Sequence, residues 1–546
     1  MTNWIEATTI ADLLIRAADH YPDTDAIVFP EKRYTYRELV NAAVQAGQGL
    51  KALGVKRGDH VGILMPNCMQ FVEIFFGAAM LGAVVVTINA RFKARELPYV
   101  IENADLVTLF TTDIIDEHVD FIDLLLESLP ALSEAEDPLN LDLEEAPKLK
   151  SVVIMGDRLQ AGFIGRDQFQ SLAATIDAEE VHRARERVRI RDVALMMYTS
   201  GTTAQPKGCP LSHEAMVRTP MAMSRERFLI KPEDKFWNPL PMFHMGSILP
   251  MLATFDGMGT FLTMTHLSID EALKMIAGEG ATIIYPTFPT ITQAIINHPE
   301  FPETDLSAVR IMNNVAPPDA LRAMQQAIPH SIQVGAYGCT EVTGCASFNE
   351  LTDDEEQRIH TCGRPFRGIE VRIVDMETGK PLPQGERGEI VVRGYSLFEG
   401  YYKDPEKTAA TIDDEGWFHT GDLCALDPDG RIIYLGRLKD MLKVGGENVA
   451  AAEIESYLST YPGVSIVQVV GVPDDRLLEV PAAFVELVPG AEVTGQELID
   501  YCKGQIASFK IPRYIKFVEA WPMSATKIQK FKLRDQYQSE LGQKLL

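Results

Sequence analysis

One short run in the middle of the chain carries the residue types that hold phosphate. In Tyr198-Thr-Ser-Gly-Thr-Thr-Ala-Gln-Pro-Lys-Gly208, glycine permits a tight turn, hydroxyls and backbone N–H groups can converge on anionic oxygens, and Lys207 adds a positive charge. The run follows the apolar segment Val193 to Met197, which reads as a strand. Lys207 is followed by Gly208 and not by Ser or Thr, so this is not a Walker A loop. Taken by itself, the same composition also describes a plain Ser/Thr/Gly-rich surface turn.

The charge of the whole chain does nothing to recruit a phosphate. With 51 Lys and Arg against 77 Asp and Glu, the net charge is -26. Nucleic acid and anionic lipid are repelled at long range, so any phosphate-bearing ligand has to be held by local side chains and N–H groups. Seven cysteines without a CxxC pair suggest neither a zinc site nor a disulfide framework, and they fit a reducing, cytoplasmic setting. The first residues, MTNWIEATTIADLL, do not read as a secretory signal. The most apolar stretch, Phe71 to Val86, contains Glu73 and ends in a β-branched run, so it reads as a buried helix and strand rather than a membrane span.

The elements that must position the loop alternate. Thr35 and Glu38 have capping-box spacing, and Leu39, Ala43, Ala46, Leu50 and Leu53 continue an apolar helical face. Then come a strand at Val61 to Leu64, a helix at Phe71 to Met80, a strand at Ala83 to Thr87, a helix at Glu96 to Glu102 and a strand at Leu106 to Thr111. This is the rhythm of α/β layers with parallel strands. Residues 112–150, acidic and Pro-containing, are expected to be a solvated excursion before a strand at Ser151 to Met155. The alternation resumes with helices at Ile269 to Ala277 and Pro318 to Ala327, each before a strand, at Ala281 to Tyr285 and Ile332 to Ala336. From Val371 the texture changes to short strands with turns at DMETGK and DPDG. At 546 residues the chain exceeds a single core. The expected division is a large domain over 1–436, of layered α/β subdomains plus a β-rich one, and a small mobile α+β domain over 437–546.

The loop resembles the signature of the adenylate-forming superfamily, which includes acyl-CoA synthetases, luciferases and peptide-synthetase adenylation domains. The likeness recurs in order through most of the chain: Pro241-Met-Phe-His244 with Gly246, Tyr337-Gly-Cys-Thr-Glu341, Gly363-Arg-Pro365, Gly416-Trp-Phe-His-Thr-Gly-Asp422, Gly436-Arg-Leu-Lys-Asp440, Lys443 to Val449, Glu453-Ile-Glu455, and Pro522 to Lys530. Any one of these is weak evidence. Their joint occurrence in order implies an AMP-forming acyl-CoA synthetase that activates a small to medium carboxylic acid as acyl-AMP, releases pyrophosphate, and transfers the acyl group to coenzyme A. Two other readings stay open: an acyl-adenylate former with another acceptor (a carrier protein or oxidative chemistry), and an inactive interaction protein with this fold.

The resemblance also implies roles. Thr199, Ser200, Gly201, Thr202, Thr203 and Lys207 would surround the ATP phosphates, Tyr337 would lie against adenine, and Thr340 would contact the α-phosphate. Glu341 would help hold Mg2+, while Asp422 and Arg437 would meet the ribose. Lys527 would carry adenylation, bridging the carboxylate and the α-phosphate. His244 would gate an acyl pocket lined by Met245, Val315 and Val342. Lys439 would be the hinge, and Gly445 and Gly446 would border the coenzyme A channel. The family usually has glycine before its C-terminal lysine, but here Thr526 precedes Lys527 and the segment is one residue short, which leaves Lys530 as the competing candidate. Where many relatives read Ser-Gly-Gly, this chain has Asn313, Asn314 and Val315, which argues for a shorter acyl pocket. Ala204 replaces a common loop glycine. The implied partners are a small carboxylic acid and coenzyme A, with no nucleic acid and a monomer or homodimer as the assembly.

Overall fold

The capping box at Thr35 forms as its spacing predicts. Glu38 N–H donates to the Thr35 hydroxyl at 3.2 Å, and Thr35 N–H donates to the Glu38 carboxylate at 2.8 Å. The helix so started, Tyr36–Ala52, buries Leu39, Ala43, Ala46 and Leu50. Its neighbour Met69–Leu81 is apolar around most of its circumference and therefore needs cover on most sides. The two helices approach as only glycine allows: a Cβ added to Gly77 would lie 2.8 Å from both Ala46 Cβ and Gly47 N.

These elements belong to a computed structural model that describes residues 8–199, 205–444, 447–474, 476–523 and 528–544. Two seven-stranded sheets form the large body. The first runs Ile164–Gly165, Ser151–Ile154, Leu106–Thr111, His60–Ile63, Val84–Thr87, Val193–Thr199, Lys207–Ser212, parallel except for its last pair. The second runs Ile332–Val334, Ile311–Asn314, Ile283–Thr287, Lys235–Trp237, Thr260–Leu262, Asp25–Val28, Arg33–Thr35, again parallel except for its last pair. One continuous core joins Val85 and Leu195 of the first sheet to Phe236 and Phe261 of the second, through the helices Met69–Leu81 and Met245–Asp256. The expected α/β class with parallel strands is what the chain adopts.

Residues 112–150 depart from expectation. They are not merely a solvated excursion: the segment holds the helix Phe121–Ser128, and Phe121, Ile122, Leu125, Leu132, Leu141, Leu143 and Leu149 are all buried in one cluster with Leu106 and Val152. The acidic residues between the leucines masked an apolar face that covers the open side of the first sheet. A smaller correction concerns the expected strand to Ala336. It breaks at Gly335 into Ile332–Val334 and Ala336–Tyr337, which belong to different sheets.

After the body come an antiparallel four-stranded sheet, Ile369–Val374, Gly388–Gly394, Phe418–Leu426 and Ile432–Arg437, and a five-stranded sheet that begins at Met441–Val444. The DPDG turn closes the last pair of the former, with Asp427 accepting from the N–H groups of Asp429 and Arg431. DMETGK makes an Asp375-capped turn inside a longer connection rather than the hairpin turn itself. Among the described residues no helix is long and apolar enough to cross a membrane.

Candidate active site

Lys207 stands at the base of a hairpin. The strands Val193–Thr199 and Lys207–Ser212 pair antiparallel, with Thr199 directly opposite Lys207. Ser200, Gly201, Thr202, Thr203 and Ala204 lie outside the described residues. The ammonium of Lys207 sits 5.4 Å from the centre of the Tyr401 ring. Burial lowers its pKa and the charge of Lys407 adds to that, with Asp404 and Glu341 opposing. Tyr401 in turn donates its hydroxyl to Glu341 Oε1 at 2.9 Å. The segment around Tyr401 is tied at both ends: Phe398 N–H donates to the Glu341 carbonyl and Tyr402 N–H to the Gly208 carbonyl, each at 2.9 Å.

Glu341 and Thr340 lie on a tight turn. After the strand Ala336–Tyr337 the chain doubles back so closely that a Cβ on Gly338 would lie 2.4 Å from the Gly344 carbonyl oxygen. A single 3-10 turn, Thr340–Val342, fills the bend, and Thr343 leaves it with φ of 59°. That left-handed conformation is costly for a β-branched residue. It is held by the Thr343 hydroxyl, which donates to the Ser396 carbonyl at 2.7 Å, and by Thr343 N–H donating to the Thr340 carbonyl at 3.0 Å.

Asp422 is only 2% exposed, on the strand Phe418–Leu426. Tyr337 donates its hydroxyl to Asp422 Oδ2 at 2.8 Å, and Arg437 Nε lies 2.8 Å from Oδ1. Asp422 and Arg437 are direct cross-strand partners. Burial of Tyr337, with the Asp422 charge added, pushes its pKa well up. Burial acts most strongly against the charge on Arg437, but Asp422 together with Tyr434, Cys339 and Tyr337 more than offsets it, and the guanidinium pKa is raised.

The other expected residues are distributed as follows. His244 is the N-cap of Met245–Asp256, half-buried, its ring 4.7 Å from that of Phe243. Met245 and Val342 are buried together at the turn: a Cβ on Gly344 would fall 2.9 Å from that of Met245. Val315 differs, being 43% exposed just past the strand Ile311–Asn314. Asn313 and Asn314 are fully buried and internally satisfied, Asn313 by Thr287 and the Val334 carbonyl, Asn314 by Thr292 and Gln333. Lys439 is exposed in the single turn Leu438–Asp440 that joins the four-stranded sheet to the five-stranded one. Gly445, Gly446 and Lys527 lie outside the described residues. Lys530 is paired with Glu455 at 2.5 Å within the C-terminal part.

Tyr401 is the residue that sequence reasoning missed. Its only signal is a pair of tyrosines in Phe398-Glu-Gly-Tyr-Tyr402, which by composition is an aromatic loop.

Residues 14–402 match the AMP-binding enzyme family and residues 453–527 the AMP-binding enzyme C-terminal domain. The chain belongs to the AMP-binding enzyme family. Within this adenylate-forming superfamily it stands with the acyl-CoA synthetases and ligases, which are acid–thiol ligases. It is 36% identical over 535 residues to the putative acyl-CoA synthetase YngI of Bacillus subtilis, covering 97% of each chain. It is 32% identical over 550 residues to the mitochondrial medium-chain acyl-CoA ligase ACSF2 of Mus musculus, covering 98% of this chain and 88% of that one. Among solved structures, the anthranilate CoA ligase AuaEII in complex with anthranoyl-AMP superposes with a TM-score of 0.87 at 28% identity, covering 98% of both chains. ATP-bound MatB from Rhodopseudomonas palustris does so with a TM-score of 0.82 at 27% identity, covering 96% of this chain and 99% of that one. The large N-terminal and small C-terminal arrangement of adenylate-forming enzymes is therefore this chain's fold.

Proposed function

We propose that this enzyme activates a small to medium carboxylic acid with ATP, releases pyrophosphate, and passes the acyl group from acyl-AMP to coenzyme A. The observation that carries the reading is the convergence of Lys207, Tyr401 and Glu341 on one side and Tyr337, Asp422 and Arg437 on the other, in a chain of this family. In this assignment Thr199 to Lys207, including Ser200, Gly201, Thr202 and Thr203, surrounds the triphosphate. Thr340 meets the α-phosphate, Tyr337 lies along the adenine, and Asp422 with Arg437 holds the ribose. An aspartate can accept from both ribose hydroxyls once Tyr337 shares its oxygen.

Glu341 suits Mg2+, which takes hard oxygen ligands and often only one or two from protein, the rest coming from nucleotide and water. Bound there, the ion would offset charge on the phosphates. The acid itself would enter past His244 into a pocket lined by Met245, Val315 and Val342. The names of the relatives, a medium-chain acyl ligase and an anthranilate ligase, support an acid of this size.

Carboxylate and ATP repel one another, and a thiolate cannot displace oxide from a carboxylate. Alignment of the carboxylate oxygen with the α-phosphorus, with an ammonium between the anions, removes the first obstacle. The mixed anhydride, with AMP as leaving group, removes the second. Lys527 is assigned the ammonium role, and the Lys530–Glu455 pair supports that choice because it already engages the competing lysine. Rotation about Lys439 would then withdraw Lys527 and bring the Gly445–Gly446 segment to the thiol channel.

The test is a pyrophosphate-release screen over acid length, branching and aromaticity, with coenzyme A added afterwards. Acid-dependent pyrophosphate followed by thioester is the expected result. Pyrophosphate without thioester would move the reading to another acceptor, and no pyrophosphate with any acid would overturn it. In the same assay Lys527→Ala should lose adenylation far more than thioester formation from supplied acyl-AMP. Equal losses would reject the division of labour.

A further inference from the structure

Two opposite charges face the same space at the hairpin base without neutralising each other. Lys207 and Glu341 attract one another across the site. Yet among the described residues the ammonium makes no ion pair with that carboxylate, and Tyr401 touches both. Its ring face takes the ammonium, as cation–π contact allows, and its hydroxyl takes one carboxylate oxygen. The ring cannot drift, because Phe398 packs edge-on against it at 4.8 Å between centres and Tyr401 N–H donates to the Thr408 hydroxyl at 2.9 Å. The flanking backbone bonds to Glu341 and Gly208 fix the same segment to the two pieces of chain that carry the charges.

We infer that Tyr401 is a positioning residue of the reaction: a spacer that keeps Lys207 and Glu341 apart and aims the carboxylate outward, so that one remains available to phosphate and the other to the divalent cation. Without a spacer, a lysine and a glutamate in a partly desolvated site would close on each other, and each would have to be pulled off its partner before ligand could bind. The two halves of the side chain divide the task. The hydroxyl orients Glu341, in the manner of partners that tune a metal ligand from behind it. The ring keeps the ammonium at a distance.

The inference rests on the assignment of Glu341 to the metal, and the experiment separates the two. Mn2+ retained by the enzyme in the presence of ATP is titrated by electron paramagnetic resonance, and ATP binding without metal is measured by calorimetry, for wild type, Tyr401→Phe, Tyr401→Ala and Glu341→Gln. Tyr401→Phe keeps the ring and its packing, and should weaken Mn2+ retention about tenfold while leaving metal-free ATP binding unchanged. Tyr401→Ala should weaken both, because Lys207 is then free to fall onto Glu341. Glu341→Gln should lose Mn2+ retention at least as far as Tyr401→Phe does. If Glu341→Gln weakens Mn2+ but Tyr401→Phe matches wild type, the positioning role is overturned and the metal assignment stands. If Glu341→Gln retains Mn2+ like wild type, the metal assignment fails and the inference with it.

Discussion

Asp422 and Glu453 each pair with an arginine, and the two pairs are built for opposite purposes. Asp422 is sealed in the body, joined to Arg437 across adjacent strands and to the Tyr337 hydroxyl. Glu453, in the C-terminal part, meets Arg387 of the four-stranded sheet's long connection at 2.8 Å, with side-chain exposures of 26% and 62%. Glu453 also has Lys510 of its own domain as a second partner. A pair whose carboxylate is buried is expensive to break, whereas an exposed pair with a spare partner separates at little cost. The Asp422 side is thus held as a fixture, whereas the contact between the two parts of the molecule separates at little cost, which suits the proposed two-stage reaction with a turning domain.

The comparison breaks most readily at Asp422. Asp422→Ala would leave a half-buried guanidinium and a buried hydroxyl without their acceptor, and should cost about 3 kcal/mol of stability in urea unfolding while sharply raising KM for ATP. A loss below about 0.5 kcal/mol, the level of an ordinary surface change, would remove the claim that this side is fixed.

A second fixture lies deeper and is sensitive to acid. His213, fully buried at the start of the helix His213–Ala222, accepts from Ile10 N–H at Nδ1, which requires that nitrogen to be unprotonated. Burial lowers its pKa from 6.5 to about 4, with Asp192 and Asp12 opposing. The unfolded chain therefore takes up the proton first as pH falls. Stability is complete above pH 6.5 and declines towards pH 4, by about 2 kcal/mol at pH 5 from this group alone. His213→Gln should flatten that part of the difference between urea midpoints at pH 7 and pH 5. An undiminished pH dependence would place its origin elsewhere.

Tyr337→Phe is a finer probe of the same fixture. It removes one hydrogen bond to a buried carboxylate and keeps the ring, so about 1.5 kcal/mol of stability should go, with a smaller rise in KM for ATP than Asp422→Ala gives. If the two substitutions raised that KM equally, the hydroxyl and not the carboxylate would be the nucleotide contact.

These expectations draw on residues whose place was unevenly legible. The strand and helix rhythm of the body could be read because each element's apolar spacing is local, and Asp422, Arg437 and Glu341 could be singled out as candidates because their motifs surround them. Residues 112–150 could not, because Leu141, Leu143 and Leu149 bury themselves against a distant sheet while acidic neighbours give the segment a solvated composition. Tyr401 could not, because its function depends on contacts with Lys207 and Glu341, both far away in the chain. Val315 was legible in identity but not in direction. The replacement of a small residue by valine is plain in the sequence, but its direction depends on the bend after Asn314, where it stands 43% exposed.

The smallest expected effect tests the releasable side. Arg387→Ala removes an exposed guanidinium from Glu453, which keeps Lys510, so thermal unfolding should be unchanged within about 0.5 kcal/mol. What should move is the balance between the two half-reactions. In the proposed rotation the pair belongs to one posture of the small domain, and its loss should favour the other by no more than about threefold, the worth of a weak surface pair. Adenylation measured by pyrophosphate release and thioester formation from supplied acyl-AMP should then change in opposite directions. A parallel fall in both, or a loss above tenfold in one accompanied by lower stability, would mean that this contact is structural and that the body and the C-terminal part do not separate there.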